Sequence, residues 1–381
     1  MRLGLHQADL RDPIKHLVRP TSGGGLEETA LYQYLGGFLL SPTRIDPEVF
    51  SYRWKFSISA SDYQCFPRYA DSSQGRRQVR TIQPGCRTYR LRTIVLPDKQ
   101  KEDVQTFWPT ANTTWPSVLY IFVNKIEVYV RRKVHNGKDI PLDITKYLRE
   151  GDNEVNVHLL LGPGECKDFH YALGIETMYI SEYKEVLAKT RQSPACDTRT
   201  DIKKRLNPTT DDDELAVVTD SLTIPLIDPF MAQVCKIPAR STNCTHIECF
   251  DLETFITTRK SLSGHSPMND DWRCPICKAD ARPQFLIVDH FFVEVYDALK
   301  KGGYLETAQS IQVRADGKWT VKTVSDDASP SSPIRGRLSQ SPWSGKRKAD
   351  SITDAAEQSS RPKHENSPNV PTEEPMIIEI D

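Results

Sequence analysis

Between positions 30 and 183 apolar and polar residues alternate in short runs. The runs are YRWKFSISAS (Tyr52 to Ser61), RTYRLRTIVL (Arg87 to Leu96), SVLYIFVNKIEVYV (Ser117 to Val130), NEVNVHLLLG (Asn153 to Gly162) and YALGIETMYI (Tyr171 to Ile180). A period of two, carried by aromatic and β-branched side chains, predicts strands that bury one face. Pro84-Gly85, Asn136-Gly137, Gly151-Asp152 and the Gly162 to Gly164 stretch supply turns between them. The pattern predicts one mostly antiparallel β domain of the sandwich type over 30–183, behind an N-terminal extension 1–29.

Residues 184–220 are charged and lose the period, with DIKKRLNPTTDDDEL (Asp201 to Leu215) in the middle, and read as a linker carrying one short helix. A second unit, 221–325, changes period. In DLETFITTRKSL, Leu252, Phe255 and Ile256 fall at helical spacing behind Asp251, a candidate N-cap. In DHFFVEVYDALKK, Phe292, Val295, Tyr296 and Leu299 form one stripe that stops at Gly302-Gly303. Two alternating runs around Asp316-Gly317 then predict a hairpin packed on that helix. From 326 to 381 serine, proline and charge dominate, and too little apolar surface remains to offset the entropy of ordering, so a disordered tail is expected. The fold class expected is therefore α+β and multidomain.

Charge changes this picture little. Lysines and arginines number 50 and acids 51 in 381 residues, a formal net charge of −1, so any attraction to nucleic acid or anionic membrane must be local. The chain holds no apolar run of membrane-spanning length, and His6, Asp9, Asp12 and His16 break up the first twenty residues, which excludes a secretory signal. An intracellular soluble protein is expected. In a reducing compartment its nine cysteines are not a disulfide framework. Cys65, Cys86, Cys166 and Cys196 stand apart, while the other five crowd between 235 and 277.

Those five change the picture most. Cys244-x-His246 and Cys274-x-x-Cys277 each let one tight turn present two ligands to one tetrahedral ion, which points to structural zinc. Ordinary reduced cysteines, or a redox pair at Cys274-Pro275-Ile276-Cys277, are the competing readings, and the latter lies far from any βαβ pattern. Cys249 is spare. In a cross-braced RING finger it would serve a second ion, but Ile224 and Leu252 stand where further cysteines should be. One zinc per chain is expected, with Cys249 as a small buried hydrophobe.

A ring with only one of its two metal sites marks the SP-RING, and the text around it resembles the Siz/PIAS family of SUMO ligases. The residues that carry the resemblance are DDDELAVVTDSLTIPL (Asp211 to Leu226), CTHIECFD (Cys244 to Asp251), DDWRCPIC (Asp270 to Cys277) and the ADGKW hairpin (Ala315 to Trp319). VNKIEV (Val123 to Val128) and PLDITKYL (Pro141 to Leu148) look like the degenerate PINIT segment of the family's β-rich substrate domain. The resemblance covers about 30 to 325 and departs at Ile224-Pro225 and Phe230-Met231, where the family usually has Cys-Pro and Arg-Met pairs.

What the resemblance implies is positional catalysis with no catalytic nucleophile of the chain's own. The ring would dock the SUMO-charged conjugating enzyme through Ile224, Pro225, Leu226, Trp272, Pro275 and Ile276, and the β domain would select protein substrates. For Trp272 packing beside the metal is an equal alternative. The family's helical SAP module is not seen, so DNA binding is not implied. In the tail, GKRKAD (Gly345 to Asp350) and SSRPKH (Ser359 to His364) read as a bipartite nuclear localisation signal. EEPMIIEID, with Ile377, Ile378 and Ile380, resembles a SUMO-interacting motif that adds a strand to SUMO. The expected protein is a nuclear, zinc-dependent SUMO ligase. Its rivals are a ubiquitin-type RING ligase, which would hold two zinc ions, and a non-catalytic nuclear adaptor or transcriptional coregulator.

Overall fold

The computed structural model describes residues 30–323 except 71–78, 97–103, 131–138, 163, 166–169, 208–219 and 260–270, together with the short strands Ile14–His16, Val18–Pro20 and Leu26–Glu28. The expected localisation signal and SUMO-interacting segment lie outside the described residues, as does Cys166.

Among the described residues eight strands build the two main sheets of the first half: β1 (Leu31–Arg44), β2 (Ser51–Ile58), β3 (Arg87–Leu96), β4 (Val118–Val123), β5 (Ile126–Val128), β6 (Leu142–Asp143), β7 (Gly151–Leu160) and β8 (His170–Glu182). They form two antiparallel sheets, in the orders β5-β4-β7-β2 and β6-β3-β8-β1. Ile121, Val155 and Val157 of one sheet share a core with Leu91, Leu173 and Ile175 of the other, which makes the unit a sandwich. The run 117–130, read as one strand, is a hairpin in the structure. Asn124 and Lys125 both take positive φ, 50° and 68°, the conformation a two-residue hairpin turn requires.

Within the sandwich Glu176 of β8 is fully buried and receives Arg90 Nε, Arg92 Nη1 and the Trp108 indole N–H at 2.8–2.9 Å. Burial pushes this carboxyl up, but Arg90 and Arg92, with hydrogen bonds from Arg92 and Trp108, outweigh it and hold its pKa at about 2. The carboxylate therefore stays ionised and paired.

The stretch expected as a linker is structured up to Asn207 and belongs to the second half. It holds α1 (Tyr183–Lys189), β9 (Arg191–Ser193) and α2 (Ala195–Leu206). The charged residues of α2 face water while Ala195, Ile202 and Leu206 enter an apolar cluster with Phe291, Phe292, Val295 and Leu299. One buried residue per turn, at Ala195, Thr198, Ile202 and Leu206, suffices to dock a helix whose overall composition looks like a linker.

The second half continues with β10 (Ser221–Pro225), β11 (Pro238–Ser241), β12 (Phe250–Asp251), α3 (Leu252–Thr257), β13 (Leu286–Asp289), α4 (His290–Gly302), β14 (Ala308–Arg314) and β15 (Trp319–Thr323). Its sheets run β9-β13-β11-β12 and β10-β14-β15. Asp251, the expected cap, accepts from the Thr254 N–H, and α4 starts in the same way, with Asp289 accepting from the Phe291 N–H. Gly303 closes α4 at φ +73°, a left-handed C-cap that favours glycine. The hairpin turns at Gly317, φ +81°, and its inner residues Ile311 and Val313 pack with Phe292 and Leu299 of α4. Among the described residues no helix is long and apolar enough to cross a membrane.

Candidate metal centre

Local chain geometry delivers the four metal-ligand candidates from two turns. After β11 the chain bends so that the Cys244 N–H donates to the Ser241 carbonyl at 3.0 Å, and His246 follows two residues later. Cys274 and Cys277 lie in a small knuckle hairpin closed by an Arg273–Asp280 bridge and by the Cys274 N–H donating to the Ala279 carbonyl at 2.8 Å. Lys278 turns the knuckle at φ +65°. Ser241 Oγ and Asn243 Nδ2 donate to the Asp280 carbonyl at 2.5 and 3.2 Å and so tie the first turn to the second. The ligand atoms of Cys244, His246, Cys274 and Cys277 consequently lie within 4.8 Å of one another.

This donor set fits one zinc ion. Three sulfurs and one imidazole are the ligands a closed tetrahedral site takes. His246 Nε2 lies 3.3 Å from Cys274 Sγ, while Nδ1 lies 2.9 Å from the Glu248 carbonyl. With the proton on Nδ1 donated to that carbonyl, Nε2 is left as a lone pair for the metal. The buried Oε2 of Glu248 has no hydrogen-bond partner and sits 3.5 Å from the same Nδ1, adding negative potential behind the ligand. The sulfurs are already poised. Hydrogen bonding from Cys244 draws the Cys274 thiol down to about 4 against its burial, helped by backbone N–H groups of Cys277 and Ile276 and by His246, while the same shared proton pushes Cys244 up. Thiols crowded this closely hold a proton where a cation would do better.

Cys249 stands elsewhere. It is buried in the apolar cluster with Ile224, Ile247 and Phe292, its thiol directed at the Ile247 carbonyl at 3.7 Å, and burial pushes its pKa well up. Ile224 and Leu252, which occupy second-site positions of a two-ion ring, are buried too. Among the described residues Cys244, His246, Cys274 and Cys277 are the one metal-binding cluster.

Of the six residues expected to dock a conjugating enzyme, three are inside the protein. Ile224 and Leu226 belong to the cluster beneath α4, and Trp272 packs edge-on against Tyr34 and Phe255. The reason is β10: its backbone pairs with β14, which turns Ile224 inward and leaves Pro225 exposed. Pro275 is half-buried and Ile276 is 40% exposed at the tip of the knuckle. Phe230 and Met231, at 41% and 57% exposure, add apolar surface that the expected patch did not include.

Two features of the site were missed from sequence. Asp228 is buried and accepts from the backbone N–H groups of Phe230, Met231 and Asp251, folding the 226–235 loop back on itself. Its signal was the Asp228-Pro229 pair, which favours turn initiation. Thr198, Arg240 and the fully buried Asp289 form a second polar network, with Thr198 Oγ1 and Arg240 Nε on Asp289 Oδ2 at 2.6 and 3.1 Å. Nothing local marks that set, since its members come from three separate elements.

Comparison with known proteins agrees with this geometry. Residues 226–280 match the MIZ/SP-RING zinc finger family. Over 247 residues the chain is 26% identical to the E3 SUMO-protein ligase SIZ1 of Saccharomyces cerevisiae, covering 64% of this chain and 24% of that protein. It is 23% identical over 202 residues to the zinc finger MIZ domain-containing protein 1 of Homo sapiens, covering 51% and 18%. The crystal structure of the S. cerevisiae SUMO E3 ligase SIZ1 aligns over 76% of this chain and 91% of its own at 18% identity, with a TM-score of 0.35. The chain spans about a quarter of the length of the ligase relative. The Cys3His cluster thus lies within the segment that matches the MIZ/SP-RING zinc finger family, and the chain is similar in sequence to an E3 SUMO-protein ligase around it.

Proposed function

We propose that this protein promotes transfer of SUMO from its conjugating enzyme to lysines of protein substrates in the nucleus. The observation that carries the reading is the Cys3His cluster, the one such cluster among the described residues, within the matched MIZ/SP-RING segment. No nucleophile is required of the chain. By holding the charged conjugating enzyme on the zinc half and a substrate on the sandwich, it would convert an encounter of three bodies into attack within one assembly. The docking surface would consist of Pro225, Pro275 and Ile276, with Phe230 and Met231, all exposed or half-exposed on two loops of the zinc half. The tail segment with Ile377, Ile378 and Ile380 would bind SUMO by strand addition.

The test is SUMO discharge from the conjugating enzyme, with wild type and Cys274→Ser compared. Stimulation by wild type and none by the variant is the expected result. A second reading, a non-catalytic nuclear adaptor, is favoured by the burial of Ile224, Leu226 and Trp272, which shrinks the surface left for the enzyme. Wild-type protein that keeps its zinc and leaves discharge unchanged would select the adaptor.

A further inference from the structure

The sandwich has a long edge. β1 stands last in its sheet, pairing with β8 on one side only. Gln33 and Leu35 lie two apart on it, so their carbonyls project to the same side. An uncovered edge of this kind is a liability. Here the zinc half covers it: the Trp272 indole N–H donates to the Gln33 carbonyl at 2.7 Å, and Arg282 Nη1 to the Leu35 carbonyl at 3.0 Å.

Trp272 and Arg282 are the two ends of the metal knuckle. The Ala281 N–H donates to the Trp272 carbonyl at 2.7 Å, next to the Arg273–Asp280 bridge, so the strands that bring in Cys274 and Cys277 also space these two side chains. Arg282 is aimed by its own neighbour, with Nε and Nη2 on the Asp280 carboxylate at 3.0 and 2.7 Å. Around them one apolar cluster combines Tyr32 and Tyr34 of β1 with Phe250, Phe255, Trp272 and the ligand Cys274.

We propose that Trp272 and Arg282 are positioning residues: they clamp the sandwich edge to the metal knuckle, so that bound zinc sets where the sandwich stands relative to the ring. The geometry of the ligands fixes the knuckle, the knuckle fixes the spacing of the two donors, and the donors hold successive outward carbonyls of β1. This rests on the ligase reading in one respect, that a protein held on the sandwich would then reach the docked conjugating enzyme in a single orientation.

The experiment uses the full chain, zinc-loaded and chelated, with hydrogen exchange followed in peptides covering 31–44. In wild type, chelation is expected to speed exchange there about tenfold, the scale of one or two lost hydrogen bonds. Trp272→Phe with Arg282→Ala is expected to bind zinc normally, to exchange fast in this segment already when loaded, and to change less than twofold on chelation. The single Trp272→Phe, which keeps the ring and deletes the N–H, should lie between, and Trp272→Phe with Arg282→Lys should recover part of the protection. In activity, discharge onto free lysine should remain while transfer to a protein substrate falls about tenfold. A zinc-replete double variant with unchanged exchange in 31–44 overturns the clamp, and so does an equal response to chelation in both proteins. If both transfers fall together, the positioning role is wrong even with faster exchange. Should wild type stimulate no discharge, the ligase reading fails and the exchange data alone judge the clamp.

Discussion

The Asp251 N–H donates to Asp228 Oδ1 at 2.9 Å, chaining two buried carboxylates in the half of the ring that holds no metal cluster among the described residues. Asp228 also accepts from Phe230 and Met231, and Asp251 from Lys236, Ile237 and Thr254, all through backbone N–H groups at 2.9–3.1 Å. Ionised acceptors of this kind make hydrogen bonds about twice as strong as neutral ones. They organise the 226–238 loop and the start of α3 without an ion.

Asp228→Ala should therefore cost about 2–3 kcal/mol while leaving the metal in place, because three backbone donors lose their acceptor. Asp228→Asn should cost less, since one oxygen remains. Urea midpoints read beside elemental zinc analysis check both. Loss of zinc in the alanine variant would show that this half supports the ligand cluster more directly than the hydrogen bonds imply.

The two classes of cysteine should separate cleanly. Cys274→Ser removes a ligand whose thiol is already drawn down and should release zinc. Cys249→Ser puts a hydroxyl into the apolar cluster beside the Ile247 carbonyl, and should keep one zinc per chain at a cost of about 1–3 kcal/mol. Metal content and thermal melting of the two variants provide the measurement, and an empty site in Cys249→Ser would contradict the ligand assignment.

Acid should weaken the sandwich through Glu176. Its folded pKa of about 2 lies below the ordinary glutamate value of 4.5 that holds in the unfolded chain. A depressed carboxyl contributes stability that is complete above the unfolded value and is lost as pH falls toward the folded one, here between about 4.5 and 2. For this fully buried group the contribution is on the order of 3 kcal/mol. Urea unfolding against pH, with chelator present so that metal release does not enter, should slope downward over that window. Glu176→Gln should be less stable at neutral pH, leaving Arg90 and Arg92 without their carboxylate, and flatter in acid.

Ile276 offers a clean probe of docking. It is exposed at the knuckle tip, so Ile276→Asp should alter stability by no more than about 0.5 kcal/mol and retain zinc. SUMO discharge should nonetheless drop about tenfold, the scale of one apolar anchor lost from an interface. Undiminished discharge would move the docking surface away from the knuckle.

Much of this was readable along the chain because the chemistry is local. Cys244-x-His246 and Cys274-x-x-Cys277 announce paired ligand candidates within single turns, Asp251 marks a helix start by its capping side chain, and Gly303 and Gly317 mark helix and hairpin ends by backbone conformation. Alternation similarly locates β2, β3, β7 and β8 to within a few residues. The turn at Asn124-Lys125 was hidden because lysine is not a usual residue at positive φ, and the strand period runs on through it.

Partners far apart in the chain are another matter. That α2 would bury Ile202 against α4, that pairing of β10 with β14 would turn Ile224 inward, and that Trp272 would reach Gln33 rather than water depend on which surfaces meet. An apolar residue next to a ligand reads the same in one dimension whether it will face a partner protein or its own sandwich. Periodicity and spacing encode contacts a few residues apart, so they brought out the four ligand candidates that the structure gathers. The buried or exposed fate of Trp272, 239 positions from its hydrogen-bond partner, was settled only when packing supplied the edge it covers.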